Sequence, residues 1–194
     1  MPTLYLVTEQ AADEFLATDP LALLIGMLLD QQIPMERAFA APYRLAERLK
    51  VDRLDAAALA AYDLEALTEI FATPPALHRF PAAMAARTQK LAQMIVEEYG
   101  GEAAAIWTAA TDGQDLVRRI GKLPGFGKQK AQIFTALLGK QLGIQPPGWR
   151  EAAGDYGADG TYRSVADIVD DASLAKVRAY KQQMKRQARA AKNG

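Results

Sequence analysis

The 194-residue sequence contains no cysteine, which excludes disulfides, zinc–thiolate sites and an iron–sulfur cluster held by cysteines. It contains one histidine, His78, so a metal site built from several histidines is excluded as well. We expect His78 on the surface or in a loop. Long hydrophobic runs are also missing, because the longest, 21–29, is too short to span a bilayer. No leader-like series opens the chain, so we expect a cytoplasmic protein without a membrane partner.

An excess of charge of either sign is absent, because 23 basic side chains balance 23 acidic ones. Net charge therefore does not identify a partner, but its distribution is informative. No acidic residue follows Asp171, whereas basic residues accumulate toward the end of the chain: Lys176, Arg178, Lys181, Lys185, Arg186, Arg189 and Lys192. A basic C-terminal helix either adds phosphate contacts or is a solvated, partly frayed tail, and the sequence leaves both open.

Runs of β-branched residues are few, and apolar residues recur mostly at helical spacing, so the predicted class is all-α. After a short extended piece at 4–7, the predicted helices are 9–17, 20–31, 35–49, 55–61, 63–71, 81–99, 102–109, 112–121, 128–142, 163–169 and 173–191. The segment 21–29 is apolar on all sides, which is typical of a central helix. Pro-rich and Gly-rich segments at 72–80 and 143–162 are predicted loops, the second either functional or mobile.

The most informative segment is LPGFGKQKA, residues 123–131, which lies between two amphipathic helical patterns. Its glycines let the backbone approach a ligand closely, and amides at the start of the second helix point toward an anion. Thr111 and Gln114 have the spacing of a capping box before the first helix. Basic residues surround the turn, with Asp115 the one nearby carboxylate: Arg118, Arg119, Lys122, Lys128, Lys130 and Lys140. We predict a helix-hairpin-helix at about 112–142 that binds DNA phosphate, with a Gly-stopped structural corner as the alternative.

The chain resembles the helix-hairpin-helix DNA glycosylase superfamily (HhH-GPD), which includes endonuclease III and the alkyladenine-type glycosylases. The resemblance rests on Leu28-Leu29-Asp30-Gln31-Gln32, on the hairpin with Ala131 after it, and on their order, and it covers residues 20–142. It implies an all-α fold of two lobes, formed by residues 1–194 as a single domain. An irregular loop, 143–162, and C-terminal helices, 163–194, would follow the core. The implied activity is extrusion of one nucleotide from duplex DNA and cleavage of its N-glycosidic bond.

The resemblance also implies roles for the hairpin. The backbone around Gly125 and Gly127 would hold a DNA phosphate, and Lys128 and Lys130 would add charge. Carbonyls of the turn, those of Leu123 and Gly125, would bind a potassium or sodium ion. No other cofactor is implied.

The two glutamines after the apolar helix have two interpretations. By resemblance, Gln31 or Gln32 fills the gap left by the extruded base or lines the pocket. The alternative is a structural role in capping the helix and in hydrogen bonds between helices.

The chain departs from the family at two catalytic positions beyond the hairpin. The position of the family's essential Asp holds Pro147, and the position of the lysine nucleophile of bifunctional members holds Gln129. Lys130 is one position further along the helix, so we predict a monofunctional enzyme that uses water. Such a reaction needs a carboxylate, because positive charge develops on the sugar.

The long loop offers replacement carboxylates. Asp159 begins a segment, 159–165, that resembles the family's helix start, and Asp155 is the rival. The alternative is that both, with Glu151, are solvated loop acids or helix caps. The loop's aromatic residues, Trp149, Tyr156 and Tyr162, either stack a base or anchor the loop to the core, and for Trp149 we favour anchoring over stacking.

The sequence therefore favours a monomeric base-excision glycosylase that acts on duplex DNA. The alternative of a different class is a non-catalytic DNA-binding or lesion-recognition module with a degenerate active site, for which Pro147 argues. A third interpretation, a helical protein-interaction domain, has only the neutral net charge in its favour.

Overall fold

A computed structural model describes residues 3–194, and within this range the chain is helical without any β-strand. The all-α prediction is therefore confirmed. Two 3₁₀ turns, Gly154–Gly157 and Val165–Asp167, accompany eleven α-helices in the described range. These helices are α1 (Gln10–Thr18), α2 (Pro20–Leu29), α3 (Met35–Leu49), α4 (Ala56–Ala61), α5 (Leu64–Ala72), α6 (Pro81–Tyr99), α7 (Ala105–Thr108), α8 (Gly113–Gly121), α9 (Lys128–Gln141), α10 (Trp149–Ala152) and α11 (Asp171–Lys192).

Local chemistry explains most helix boundaries. Aspartate side chains before α2, α4, α5 and α8 each accept an amide hydrogen bond from the first turn of the helix. Pro81 is the first residue of α6, and Gly100 ends that helix at φ 61°. The predicted capping box at Thr111 is wrong, because Asp112 caps α8 by accepting the amide of Asp115 at 2.8 Å.

The helices pack as two lobes, one formed by α1–α6 and the other by α7–α11. Every residue of α2 from Leu21 to Leu29 is buried, as expected for a central helix. Phe39 and Phe71 fill the first lobe and Phe134 the second, each fully buried. Burial of one such ring contributes about 1.5–3 kcal/mol relative to exposure. The buried side chains form a continuous core, which positions the end of α2 against the α8–α9 turn.

The segment 143–162 differs from the irregular loop predicted for it, because α10 and a 3₁₀ turn form there and pack against α9. Trp149 is buried against Gly139, whose missing side chain makes room for the indole ring. The guanidinium of Arg150 lies 4.5 Å from the centre of that ring. The anchoring role predicted for Trp149 is confirmed.

Hydrogen bonds hold the backbone near the start of the described chain, whereas the side chains at its end are exposed. The extended piece predicted at 4–7 pairs with no strand, and the amides of Leu6 and Val7 donate instead to the Asp13 carboxylate at 2.8 and 2.9 Å. Helix α11 docks through Leu174 and Val177, whereas every side chain from 181 onward is exposed. Within residues 3–194, no helix combines the length and apolarity needed to cross a membrane.

Candidate functional site

The α8–α9 turn forms the predicted helical hairpin. Leu123 and Phe126 face inward, and the amide of Phe126 donates to the Leu123 carbonyl at 3.0 Å. Gly125 has φ +81°, a conformation that favours glycine, and any side chain there would collide with Leu28 of α2. The glycine therefore lets the turn lie directly on the end of α2.

The start of α9 presents unpaired backbone amides. Gly127 is the N-cap, and it has no side chain that could accept a hydrogen bond from the first turn. Among the described residues, the amides of Lys128, Gln129 and Lys130 have no acceptor. A β-carbon added at Gly127 would meet nothing within 4 Å, so the amides are open to an approaching group. Aligned amides at a helix N-terminus attract an anion.

The basic residues near the hairpin divide into paired and unpaired groups. Arg118 and Arg119 both form ion pairs with Asp115. The amide of Thr111 and the two guanidinium groups lower the pKa of Asp115 to about 2. Lys140 is bound to the buried Asp167 at 2.6 Å, inside the second lobe. Of these six basic residues near the hairpin, Lys122 and Lys128 are exposed and form no ion pair within residues 3–194.

A shallow cleft of about 410 Å³ lies where the hairpin meets the end of α2. Its walls are Asp30, Gln31, Arg87, Gly125, Gly127, Lys128, Gln129 and Lys130. The structure therefore brings together most of the DNA-binding residues that the sequence nominated. The exception is Gln32, which is exposed but does not line this cleft.

Lys130 crosses the cleft. Its Nζ atom donates to the carbonyls of Leu28 and Asp30, each at 3.4 Å, and lies 6.0 Å from the centre of the Phe126 ring. A cation at a helix C-terminus stabilises the last carbonyls of that helix. Burial lowers the pKa of the Lys130 amine.

The two glutamines after α2 have different environments. The Gln31 amide donates to the Leu28 carbonyl at 2.8 Å, and its Oε1 accepts from Arg87 at 3.1 Å. Gln31 thus caps α2, as the structural alternative predicted, while also lining the cleft. Gln32 is exposed and has φ +59°, a conformation that is uncommon for a residue with a β-carbon.

Hydrogen bonds of His78 link the loop before α6 to the C-terminal end of α2. The expected loop position is confirmed, but within that loop the His78 side chain is fully buried rather than at the surface. Its Nδ1 accepts the amide of Phe80 at 3.0 Å, which leaves Nε2–H to donate to the carbonyls of Leu29 and Gln31. Burial lowers the pKa of the imidazole, so the ring is neutral at pH 7.

The carboxylates nominated in the long loop lie outside the cleft. Asp159 is 78% exposed and pairs with Arg150 at 2.7 Å. Asp155 is 84% exposed and lies 3.7 Å from Arg163. Glu151 is also exposed. The one carboxylate that lines the cleft is Asp30.

Sequence reasoning missed Asp30 as a functional candidate. Its signal was its position between the apolar α2 and the glutamines, inside the very segment that carried the resemblance. Burial raises the pKa of the Asp30 carboxyl, while Lys181 and Lys130 oppose that rise. A partly desolvated carboxyl group in a cleft is typical of acid–base sites.

The two other aromatic residues nominated in the long loop, Tyr156 and Tyr162, contact neighbouring side chains. Tyr156 accepts a hydrogen bond from the Gln129 side chain at 2.8 Å, which ties the 3₁₀ turn to α9. Tyr162 is exposed beneath Lys176, at 4.4 Å from its ring centre. No cluster of three or more acidic or histidine side chains in residues 3–194 forms a metal site.

Comparison with known proteins gives the family of the chain. A family described as "HhH-GPD superfamily base excision DNA repair protein" matches residues 25–193. This range includes the second half of α2, the hairpin and α11. No curated protein and no solved structure matches the chain.

Proposed function

Because the chain belongs to the HhH-GPD superfamily of base excision DNA repair proteins, we propose that it is a DNA glycosylase. It hydrolyses the N-glycosidic bond between a damaged base and its deoxyribose in duplex DNA. The substrate nucleotide leaves the base stack and enters the cleft between the hairpin and the end of α2. The protein acts as a monomer, in the cytoplasm.

The observation that carries this proposal is the set of unpaired amides at the start of α9, on the wall of that cleft. These amides bind one DNA phosphate, and the absence of a side chain at Gly127 lets the phosphate reach them. Lys122 and Lys128 add charge beside this contact. Contacts of this kind hold the duplex in position without reading its sequence.

Gln32 enters the duplex in this proposal. Its side chain is exposed, and Gln31 is already occupied in capping α2. The left-handed backbone at Gln32 is consistent with a functional role, since uncommon conformations cluster at such sites. Gln32 therefore fills the gap in the base stack, while Gln31 forms part of the cleft wall.

Hydrolysis is the proposed chemistry. The lysine position of bifunctional relatives holds Gln129, which bonds to Tyr156. The resemblance nominates Asp159, with Asp155 second, as the carboxylate that stabilises the sugar cation. It also nominates a potassium or sodium ion at the carbonyls of Leu123 and Gly125, and no other cofactor. The Leu123 carbonyl accepts one backbone hydrogen bond, which leaves a second lone pair for such an ion.

The test is a single-turnover excision assay with protein in excess over duplexes that carry alkylated, deaminated or oxidised bases. Release of a free base from at least one duplex supports the proposal. Asp159→Asn and Asp155→Asn are assayed in parallel, with Glu151→Gln as the third loop acid. Loss of a charge-stabilising carboxylate lowers the rate by roughly a hundredfold or more.

A second function remains in competition because Pro147 occupies the position of the family's catalytic Asp. In that alternative the protein recognises a lesion without cutting any bond. It predicts binding to damaged duplexes with no base released from any member of the panel. The assay separates the two functions if DNA binding is measured on the same samples.

A further inference from the structure

Unlike the other buried or partly buried aspartates of the described chain, Asp30 has no hydrogen-bond or ion-pair partner there for its carboxylate. Asp13 accepts the amides of Leu6, Val7 and Thr8, and Asp19 accepts those of Ala22 and Leu54. Asp167 pairs with Lys140. The carboxylate of Asp30 accepts no hydrogen bond and forms no ion pair with any group in residues 3–194. The Asp30 carboxylate is therefore free to contact a bound group.

Asp30 also lies at the junction of two cavities. One is the hairpin cleft described above. The other, of about 390 Å³, lies between the start of α3 and helix α11. Asp30 belongs to the lining of both.

The second cavity suits a nucleobase. Its walls include the apolar side chains of Ile33, Met35, Leu174 and Val177. Its rim is basic, with Lys181 and Lys185 on the exposed part of α11. Apolar walls with a few polar groups are typical of small-molecule sites, and a basic rim attracts the DNA backbone.

We infer that Asp30 is the catalytic carboxylate, placed beneath the deoxyribose of an extruded nucleotide whose phosphate lies at the hairpin and whose base occupies the α11 cavity. This inference rests on the proposed glycosylase function. It differs from the assignment of Asp159 and Asp155 by resemblance, because both of those groups lie outside the cleft and are exposed.

The step needs only water. The C1′–N bond breaks, and its electron pair leaves with the base, which takes a proton from solvent. The oxygen of a water molecule bonds to C1′ and gives one proton to the Asp30 carboxylate, which later releases it to solvent. While C1′ carries positive charge, the ionised carboxylate stabilises it.

The environment of Asp30 suits both roles. Burial raises the pKa of its carboxyl, which makes the group a better proton acceptor. Lys181 and Lys130 oppose the rise and favour the ionised form. Neither amine forms an ion pair with the carboxylate, so the carboxylate is free to face a substrate cation.

Binding to abasic-site analogues tests this inference without knowledge of the damaged base. Two duplexes of one sequence carry either a neutral tetrahydrofuran or a cationic pyrrolidine in place of the target nucleotide. The cationic ring mimics the charge that develops on the sugar. We expect the wild-type protein to bind the cationic duplex on the order of tenfold or more tighter than the neutral one.

Variants test whether Asp30 causes the preference for the cationic duplex. Asp30→Asn should bind both duplexes with nearly equal affinity, at the wild-type level for the neutral one. Asp52→Asn is the matched control, because Asp52 is exposed and lies outside both cavities. It should keep the wild-type preference, and Asp30→Ser serves if the Asn variant does not fold. Equal binding of both duplexes by the wild type, or an unchanged preference in folded Asp30→Asn and Asp30→Ser, overturns the inference.

Excision rates separate this inference from the proposed function. If the wild type releases a base and Asp30→Asn releases it at the same rate, the inference is wrong and the glycosylase function stands. If the wild type prefers the cationic duplex through Asp30 but releases no base, the site is supported and the glycosylase function fails. If Asp159→Asn loses the excision rate and Asp30→Asn keeps it, the inference is wrong and the catalytic carboxylate is Asp159 of the loop.

Discussion

The Nζ atom of Lys130, on the first turn of α9, lies 3.4 Å from the backbone carbonyl oxygen of Asp30 at the end of α2. This contact joins the two sequence segments that carried the family resemblance, although they are about a hundred positions apart in the chain. It also places a lysine beside a carboxylate-bearing residue in the same cleft. The hairpin and the end of α2 therefore form one structural unit around the cleft.

Replacement of the hairpin glycines should have two different effects. Gly127→Val adds a side chain in open space, so the protein should stay folded and bind duplex DNA more weakly, whatever the sequence or lesion. Gly125→Val should lower the melting temperature, because φ is +81° and the new side chain meets Leu28. DNA titrations at several salt concentrations and thermal unfolding measure the two effects. Unchanged DNA affinity of folded Gly127→Val contradicts the phosphate contact.

Replacement of two lysines near the hairpin should have different effects, because Lys140 has an ion-pair partner and Lys128 has none among the described residues. Lys128→Gln should weaken DNA binding and reduce the slope of log affinity against log salt by about 1, with stability unchanged. Lys140→Gln should destabilise the fold by about 1–3 kcal/mol, because the Asp167 carboxylate loses its amine partner but keeps hydrogen bonds from two backbone amides. Lys50→Gln, at an exposed site outside the cleft, is the control for both. A salt slope unchanged by Lys128→Gln would remove that residue from the interface.

Reaction products should be abasic sites without strand cuts. Water is the expected nucleophile, and no metal is expected to take part, so chelator should not change the rate. Products are compared with and without alkali treatment. Strand cleavage before alkali, or a protein–DNA adduct trapped by borohydride, contradicts hydrolysis. If a trapped adduct disappears in Lys130→Gln, the cleft lysine is the nucleophile.

His78 should titrate below its ordinary value of about 6.5. Because burial lowers the pKa of the folded state, the unfolded chain takes up the proton first as pH falls. The stability that the neutral ring contributes is then present above about pH 6.5 and is lost below it. His78 is the chain's only histidine, so one set of imidazole NMR signals reports its titration. A midpoint at or above 6.5, or a neutral ring protonated on Nδ1, contradicts the buried hydrogen-bond arrangement.

The helices were largely predictable because their signals are local. The bounds of α6 follow from Pro81 and Gly100, and the hairpin follows from its glycines and flanking periodicity. Helix α10 was not predicted, because its four residues lie inside a segment whose prolines and glycines indicate a loop. The ion pairs of Arg118 and Arg119 with Asp115 could have been predicted from the sequence, since Asp115 stands three and four positions before them.

The site was only partly predictable, because its parts come from distant segments. Gln31, Gly127 and Lys128 were nominated by motif, and the structure places them on one cleft. Asp30 stands in the segment that carried the resemblance, but no spacing or motif marked it as a catalytic residue. Its lack of partners and its position between two cavities depend on α9 and α11, which no local spacing reveals.

Extrusion of a nucleotide into the cleft is the central claim, and 2-aminopurine fluorescence tests it most directly. This base, placed opposite an abasic site in a duplex, becomes brighter when it leaves the stack. With the duplex saturated by wild-type protein, we predict a rise of roughly severalfold. Gln32→Gly should remove most of the rise without strain, since glycine accepts φ +59°. Lys50→Gly, at an exposed residue with φ 58°, should keep it. Unchanged fluorescence of a fully bound duplex would contradict the account.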